Sequence, residues 1–311
     1  MPALCLIVNP RAGQGRYLAL LPSVTAALAA AGAEHRVVES SSLDHARSLA
    51  AEAAGQGEIV VAVGGDGMAG ALAGSAATAG ATYGLIPAGR GNDLARTLGI
   101  PSDPAAAARV LCGSGGSQVD LIGVSTPGTP EQIVAGSVYA GLPARANEVA
   151  NSTRLLRGSL VYSVAALRVL ARWKPVTFKI KIIGSQQASG DGPADELEFP
   201  GYAVVVANSP YFGGGMLVAP PAEVSDGELD VVLMRHAPKL TFVSALMAIK
   251  DGSHVKLPQV TLHRGTEVTI TMSAGLPAAA DGEPLACASP LPAGTPLKIR
   301  TLPGALTVLR P

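Results

Sequence analysis

Aromatic and charged residues are both scarce in this chain of 311 residues: Phe, Trp and Tyr make up 4%, and Asp, Glu, Lys and Arg 15%. Against 48% hydrophobic residues, so little charge excludes an intrinsically disordered chain, which is rich in charge and short of apolar side chains to bury. Basic and acidic residues number 23 each, so the formal net charge is zero and no nucleic-acid partner is expected. Cysteine is sparse as well. Cys5, Cys112 and Cys287 are far apart and odd in number, and they form no CxxC pair. Neither a disulfide framework nor a zinc knuckle is indicated. The five histidines are scattered, as solvated or structural histidines are. Long apolar runs are missing too, although mean hydropathy is +0.34. The most apolar stretches, Leu18–Ala31 and Ile59–Val63, are short or broken by Pro22 and Gly32. A bilayer span needs about 20 apolar residues in a row, so none is expected. Residues 1–9 carry no basic segment before their apolar run and read as a strand rather than a signal peptide. A cytoplasmic location is therefore expected.

What is abundant is small and apolar, and over the first 120 residues it is ordered in a βα alternation. Leu4–Asn9, His35–Glu39, Glu58–Val63 and Tyr83–Pro87 read as strands. Tyr17–Ala31, a segment capped by Ser42 or Asp44 and running to about Ala54, a short stretch opened by Asn92 or Asp93, and Pro104–Leu111 read as helices. The EIVVAV run has no polar alternation, as expected of a parallel strand covered on both faces. This pattern predicts a layered α/β domain with a mostly parallel sheet over residues 1–124. Ligands of such sheets sit beyond the carboxyl ends of the strands. From residue 125 to 311 turn residues and strand candidates dominate: Val176–Ile183, Tyr202–Asn208, Leu229–Met234, Glu267–Met272 and Leu297–Thr301. One helix is expected there, about Arg154–Arg172. The second domain is predicted as a β-sandwich, its last strand free to return to the first domain.

Three glycine-rich loops follow strands of the first domain: Asn9-Pro10-Arg11-Ala12-Gly13-Gln14-Gly15, Gly64-Gly65-Asp66-Gly67 and Gly89-Arg90-Gly91-Asn92-Asp93. Any one of them could be a tight turn. Three at one edge of a sheet point to a phosphate ligand, because glycine lets backbone N–H groups approach an anion and a following helix N-terminus adds positive partial charge. Asp66 and Asp93 would repel a phosphate unless a divalent cation intervened, so Asp66 reads as a Mg-ATP residue and Asp93 as its partner. For Asp93 a helix N-cap is a serious alternative. Neither GxxxxGK[ST] nor a GxGxxG with an acid about 20 residues on is present.

These loops, in this order, resemble the diacylglycerol-kinase catalytic domain family, which includes sphingosine and ceramide kinases and bacterial soluble lipid kinases. Asn9-Pro10 with Gly13 is similar to NPxxG, Gly64–Gly67 to GGDG, and Gly89–Asp93 to GTGND. Further on, Asn208 through Gly213-Gly214-Gly215-Met216 with Pro220 resembles the family's Asn…GGGM…P segment. Asp226–Asp230 resembles DGxLD, and Asp281–Glu283 resembles DGE. The resemblance implies an N-terminal domain like those of phosphofructokinase and NAD kinase, ATP and Mg²⁺ as cofactors, and a lipid hydroxyl as acceptor, with Mg-ATP in an interdomain cleft. Diacylglycerol or a related lipid is the implied substrate. Glu283 would be the general base, with Asp281 as its alternate or support. Asp226 would be a structural magnesium ligand, completed by the backbone carbonyls of Glu223 and Glu228. Read alone, DGE and DGxLD are turns between strands. Two departures stand out: Met68 where the family has Thr after GGDG, and Arg90 where GTGND has Thr.

The segment from Arg145 to Lys181 holds eight Lys or Arg and one acid, Glu148. Within it Arg154, Arg157, Arg168 and Arg172 fall on one helical stripe, and Leu156, Leu160, Val164 and Leu167 on another. A solvated helix face explains this; so does peripheral docking on an anionic membrane. Two further functions stay open: a regulator that binds nucleotide or lipid without turnover, and a kinase of a soluble substrate such as NAD. A homodimer is left open as well.

Overall fold

Short apolar runs build the first sheet. In the computed structural model, which describes residues 2–10, 16–113, 115–152, 160–184, 196–285 and 290–311, the chain divides into two compact units. The first comprises Met1–Leu121, Gly213–Gly215 and Pro303–Pro311; the second comprises Ile122–Phe212 and Met216–Leu302.

In the first unit the elements follow one another as β1 (Leu4–Val8), α1 (Arg16–Ala30), β2 (His35–Glu39), α2 (Leu43–Gly55), β3 (Ile59–Gly64), α3 (Asp66–Thr78), β4 (Tyr83–Pro87), α4 (Asp93–Thr97) and α5 (Pro104–Leu111). β5 (Ser117–Ser125) leads into the second unit. The strands lie in the order β4-β3-β1-β2, all parallel. Every residue of β1, β3 and β4 is buried. At about 1.5–3 kcal/mol per large apolar side chain, this burial is what holds the layer together. Local chemistry sets the helix starts. Ser42 accepts the His45 N–H to cap α2, and Asp103 accepts the Ala106 N–H to cap α5, with Pro104 in its first turn. Helix α3, directly behind the second glycine loop, has no side-chain cap; Gly65 occupies that position.

The second unit runs β6 (Gln132–Val134), β7 (Ser137–Gly141), α6 (Leu142–Ser152), α7 (Leu160–Arg172), β8 (Val176–Ile183), β9 (Glu196–Ala207), β10 (Tyr211–Phe212), β11 (Met216–Leu217), β12 (Leu229–Arg235), α8 (Lys239–Ala248), β13 (Val260–Gly265), β14 (Glu267–Met272), β15 (Ala278–Ala280), β16 (Glu283–Pro284) and β17 (Leu297–Val308). Its strand pairs are antiparallel. β9 serves two neighbourhoods: its first half pairs with β8, and its second half with β7 and β12. Gly201 sits at that transition, where a Cβ would lie 2.9 Å from the Met234 carbonyl oxygen. Val204 and Val206 of β9 enter one apolar core with Phe178, Ile180, Val231, Val268 and Ile299. Ala203, Val205 and Ala207 enter a second core with Trp173, Val232 and Phe242. Alternate residues of one strand thus feed two cores, which explains why β9 and β12 read as continuous hydrophobic runs. β17 then crosses back, and its Val308 pairs with Tyr83 of β4 in the first unit.

Three helices, α3, α6 and α8, were not among those expected from the sequence. Lys239–Ala248 mixes β-branched and aromatic residues with Leu and Ala, and its apolar positions form no clean stripe; its burial of Phe242 and Ala245 comes from packing. The expected Arg154–Arg172 helix is described from Leu160 onward; Arg154, Leu156 and Arg157 lie outside the described residues. Among the described residues no helix is long and apolar enough to cross a membrane.

Candidate active site

Parallel register brings the glycine loops together. Val8 of β1 pairs with Val63 of β3, and Gly64 with Pro87 of β4, so the loops after all three strands leave the sheet at one edge. Asn9 and Pro10 begin the first loop; Arg11 and Gly13 lie outside the described residues. The second and third loops touch through bare backbone. A Cβ on Gly89 would stand 2.4 Å from the Gly65 Cα, so Gly89 requires glycine, and one on Gly65 would stand a tight 3.1 Å from the Gly89 Cα. Gly64 is constrained as well, since its Cβ would fall 2.8 Å from that of Met68. Met68 is buried, so this departure from the family pattern is a core side chain. Arg90 is exposed at the loop surface and Gly67 lies in the first turn of α3.

Carboxylates clasp these loops. Asn92 has φ 54°, a left-handed conformation that Asn tolerates better than most residues. Its Oδ1 accepts the Gly89 N–H at 2.9 Å and its Nδ2 donates to the Gly89 carbonyl at 3.1 Å, closing the third loop on itself. Asp66 accepts the Asn92 N–H at 3.0 Å and the Asp93 N–H at 2.6 Å, one on each carboxylate oxygen. Asp93 in turn accepts the N–H groups of Gly214 and Gly215 at 2.8 and 2.6 Å. Asp93 therefore does not cap its own helix; it captures a segment 121 residues away. Gly213, Gly214 and Gly215 have φ of 64°, 93° and 90°, which explains the glycine triplet. A side chain at Gly91 would collide with Asp66, 2.5 Å from its Oδ2. Burial pushes the Asp93 carboxyl above the ordinary range, and the neighbouring Asp66 charge adds to this, while the Gly214 and Gly215 N–H groups and Arg96 oppose it.

In the second unit, β15 and β16 form a hairpin in which Ala280 pairs with Glu283. The intervening Asp281 and Gly282 have φ of 47° and 86°, the two left-handed residues of a tight two-residue turn. The Asp281 carboxylate accepts the N–H groups of Ala135 at 2.8 Å, Gly136 at 2.9 Å and Ser137 at 2.8 Å. Buried Asn208 reaches the same segment. Its Nδ2 donates to the Ala135 carbonyl and its N–H to that of Gly136. Asn147 of α6 donates to the Gly282 carbonyl at 2.7 Å. Glu283 follows this anchored turn and is exposed. The DGE segment is thus a hairpin turn whose first carboxylate is engaged with backbone and whose Glu283 is an exposed residue. Ala135, Gly136, Ser137 and Asn147 were not legible as site residues. They carry no charge, and their partners lie 135 to 146 residues away. Asp281→Ala leaves three N–H donors without their acceptor, at about 1–3 kcal/mol each where buried. Thermal unfolding is expected to move down by about 5–10 °C.

The expected magnesium site at Asp226, Glu223 and Glu228 is arranged differently. The Arg264 guanidinium donates to the Asp226 carboxylate and to Glu228 at 2.9 Å, and its Nε lies 3.7 Å from Asp230. Burial pushes the Asp230 carboxyl up to about 6, although Arg264 pulls the other way. Among the described residues no group of three or more His, Cys, Asp or Glu is arranged to hold a metal. The carboxylates of Asp226 and Glu228 are thus taken up by an arginine, and as they stand they surround a guanidinium rather than converging on a divalent cation.

A parallel sheet with clasped glycine loops at its carboxyl edge, joined to an antiparallel unit with two cores, is the architecture of a two-domain kinase. The profile described as diacylglycerol kinase catalytic domain matches residues 3–124, and that described as YegS C-terminal NAD kinase beta sandwich-like domain matches residues 136–310. A diacylglycerol kinase of Mycobacterium tuberculosis is 30% identical over 307 residues, covering 98% of this chain and 94% of the relative. A diacylglycerol kinase of Bacillus subtilis strain 168 is 26% identical over 282 residues, covering 89% and 88%. The crystal structure of a diacylglycerol kinase from Bacillus anthracis strain Sterne matches with a TM-score of 0.71 at 21% identity, covering 99% of this chain and 97% of that one, a likeness of fold. The chain belongs to the diacylglycerol kinase catalytic domain family of lipid kinases, with the YegS-type C-terminal domain.

Proposed function

We propose that this protein transfers the γ-phosphoryl group of ATP to the hydroxyl of diacylglycerol or a closely related lipid, with Mg²⁺. The observation that carries this reading is the pair of carboxylate clasps, Asp66 on Asn92 and Asp93 and then Asp93 on Gly214 and Gly215. They hold glycine loops at one sheet edge in fixed register. Such loops present N–H groups to phosphate oxygens without reorganisation at the moment of reaction. Asn9, Pro10, Gly64, Gly65, Gly67, Gly89 and Gly91 form the cradle, and exposed Arg90 adds a fixed positive charge. Arg11 and Gly13 belong to the same proposed cradle by motif. Mg²⁺, when bound, neutralises charge on the phosphates. Asp66 is the carboxylate of the cradle best placed to face it, since each of its oxygens keeps a lone pair beyond the single N–H it accepts. Glu283 takes the proton of the attacking hydroxyl, on a turn that Asp281 and Asn147 hold rigid. Exposed Leu167, Arg168 and Arg172 on α7 suit docking on an anionic bilayer.

The test incubates the purified protein with Mg²⁺, γ-labelled ATP and mixed micelles of diacylglycerol, sphingoid base, ceramide or polyprenol. Label is expected in a lipid product, most strongly with diacylglycerol. A second reading has one feature in its favour. The family model matched over residues 136–310 is described as NAD kinase beta sandwich-like, so the second unit by itself leaves NAD as an acceptor to test. NAD therefore belongs in the panel, and label in NAD alone would overturn the lipid assignment. ATP binding without any labelled product would point to a regulator.

A further inference from the structure

The turn that precedes β12 gathers like charges. Gly227, at φ 76°, reverses the chain between Asp226 and Glu228, and the Glu228 N–H donates back to the Asp226 carboxylate at 3.0 Å. Asp226, Glu228 and Asp230 follow at every second residue; the first two pair closely with one guanidinium, and Asp230 stands 3.7 Å from its Nε, beyond hydrogen-bond distance. The position of that guanidinium is set by the sheet. β12 and β13 pair antiparallel with Asp230 directly opposite Arg264. Asp230 is 1% exposed, so without a cation beside it this charge would be buried and unpaired. A divalent ion needs oxygen ligands converging on it at about 2.0–2.6 Å, whereas here the carboxylates are spread around a planar fork of N–H donors.

We propose that Arg264 is a built-in cation that takes the place of a divalent metal at this turn, so that the second unit folds without one. Arginine stays charged at every physiological pH and cannot be removed by a chelator, so this turn is insensitive to metal supply. The inference stands on the ion-pair geometry alone and does not depend on which acceptor the enzyme uses.

Thermal unfolding of the full chain, without nucleotide, tests it in EDTA and in millimolar Mg²⁺ or Ca²⁺. The wild-type midpoint is expected to be the same in all three. Arg264→Gln, which keeps much of the side-chain bulk but not the charge, is expected to lower the midpoint by about 5–10 °C in EDTA. Mg²⁺ or Ca²⁺ should recover part of that loss, and adding Asp226→Asn should remove the recovery. An EDTA-reversible, saturable rise in the wild-type midpoint with Mg²⁺ that Asp226→Asn abolishes would overturn the proposal. So would an Arg264→Gln protein as stable as wild type in EDTA. If the Arg264→Gln chain does not fold, metal titration calorimetry on the wild-type and Asp226→Asn proteins decides. Identical isotherms support the arginine; a binding step lost in Asp226→Asn sinks it.

Discussion

Asp66→Ala is expected to lower kcat/KM for lipid phosphorylation by about 10³-fold and to reduce thermal stability as well. Each oxygen of the Asp66 carboxylate accepts a backbone N–H, from Asn92 and from Asp93. Hydrogen bonds to a charged acceptor contribute about 1.5–3 kcal/mol each. Losing both leaves Asn92 in a left-handed conformation with less to hold it there. The damage propagates, because Asp93 is the residue that holds Gly214 and Gly215. A displacement of about 1 Å in a catalytic constellation already costs on the order of 10²-fold. Here Asp66 is also the proposed metal-facing carboxylate, so the two losses compound. Asp66→Asn should fall between: its amide oxygen still accepts one N–H, while its NH₂ faces the other donor. Initial rates with γ-labelled ATP, read beside the unfolding midpoint, check the order wild type, Asn, Ala. Full activity in the Ala variant would mean that the clasp does not position the loops.

Glu283→Gln should separate turnover from folding. Removing a general base costs typically 10²–10⁴-fold, and kcat for lipid phosphorylation is expected to fall within that range. The unfolding midpoint is expected to stay at the wild-type value. Glu283 is exposed, and Asp281 and Asn147 anchor the hairpin that carries it. The contrast with Asp281→Ala is the informative part. That variant should lose stability first and activity as a consequence, since its carboxylate is taken up by backbone donors. ATP affinity should be nearly unchanged in Glu283→Gln, because its effect lies in the proton transfer. A Gln variant as active as wild type would move the base elsewhere, whereas a Gln variant that unfolds early would make Glu283 a structural residue.

Much of the first unit was legible in the sequence, and the reasons are local. Apolar runs of five or six residues, Ser42 ahead of a helix, and glycines at strand ends all act on their immediate neighbours, so β2, β4 and α5 begin and end where the pattern places them. The sandwich strands β8 and β14 were legible for the same reason, since each alternates buried with more exposed residues. The motif residues Asp66, Asp93, Asp281 and Glu283 could be picked out as a set, but not told apart. A carboxylate in a glycine loop reads the same whether it faces a cation or a backbone N–H.

The sequence by itself determined the strands β1 to β4 in their order, the glycines at the sheet edge, the run of charged motifs and the want of any apolar stretch long enough to span a bilayer. Tertiary structure alone decided what each carboxylate touches. Asp93 meets Gly214, Asp281 meets Ala135 and Arg264 meets Asp226 across separations of 121, 146 and 38 residues. Periodicity and turn chemistry act over a few neighbours along the chain. Hydrogen-bond partners at these distances are set by strand register and by which segments the two apolar cores press together, and neither quantity is written in any local stretch of residues.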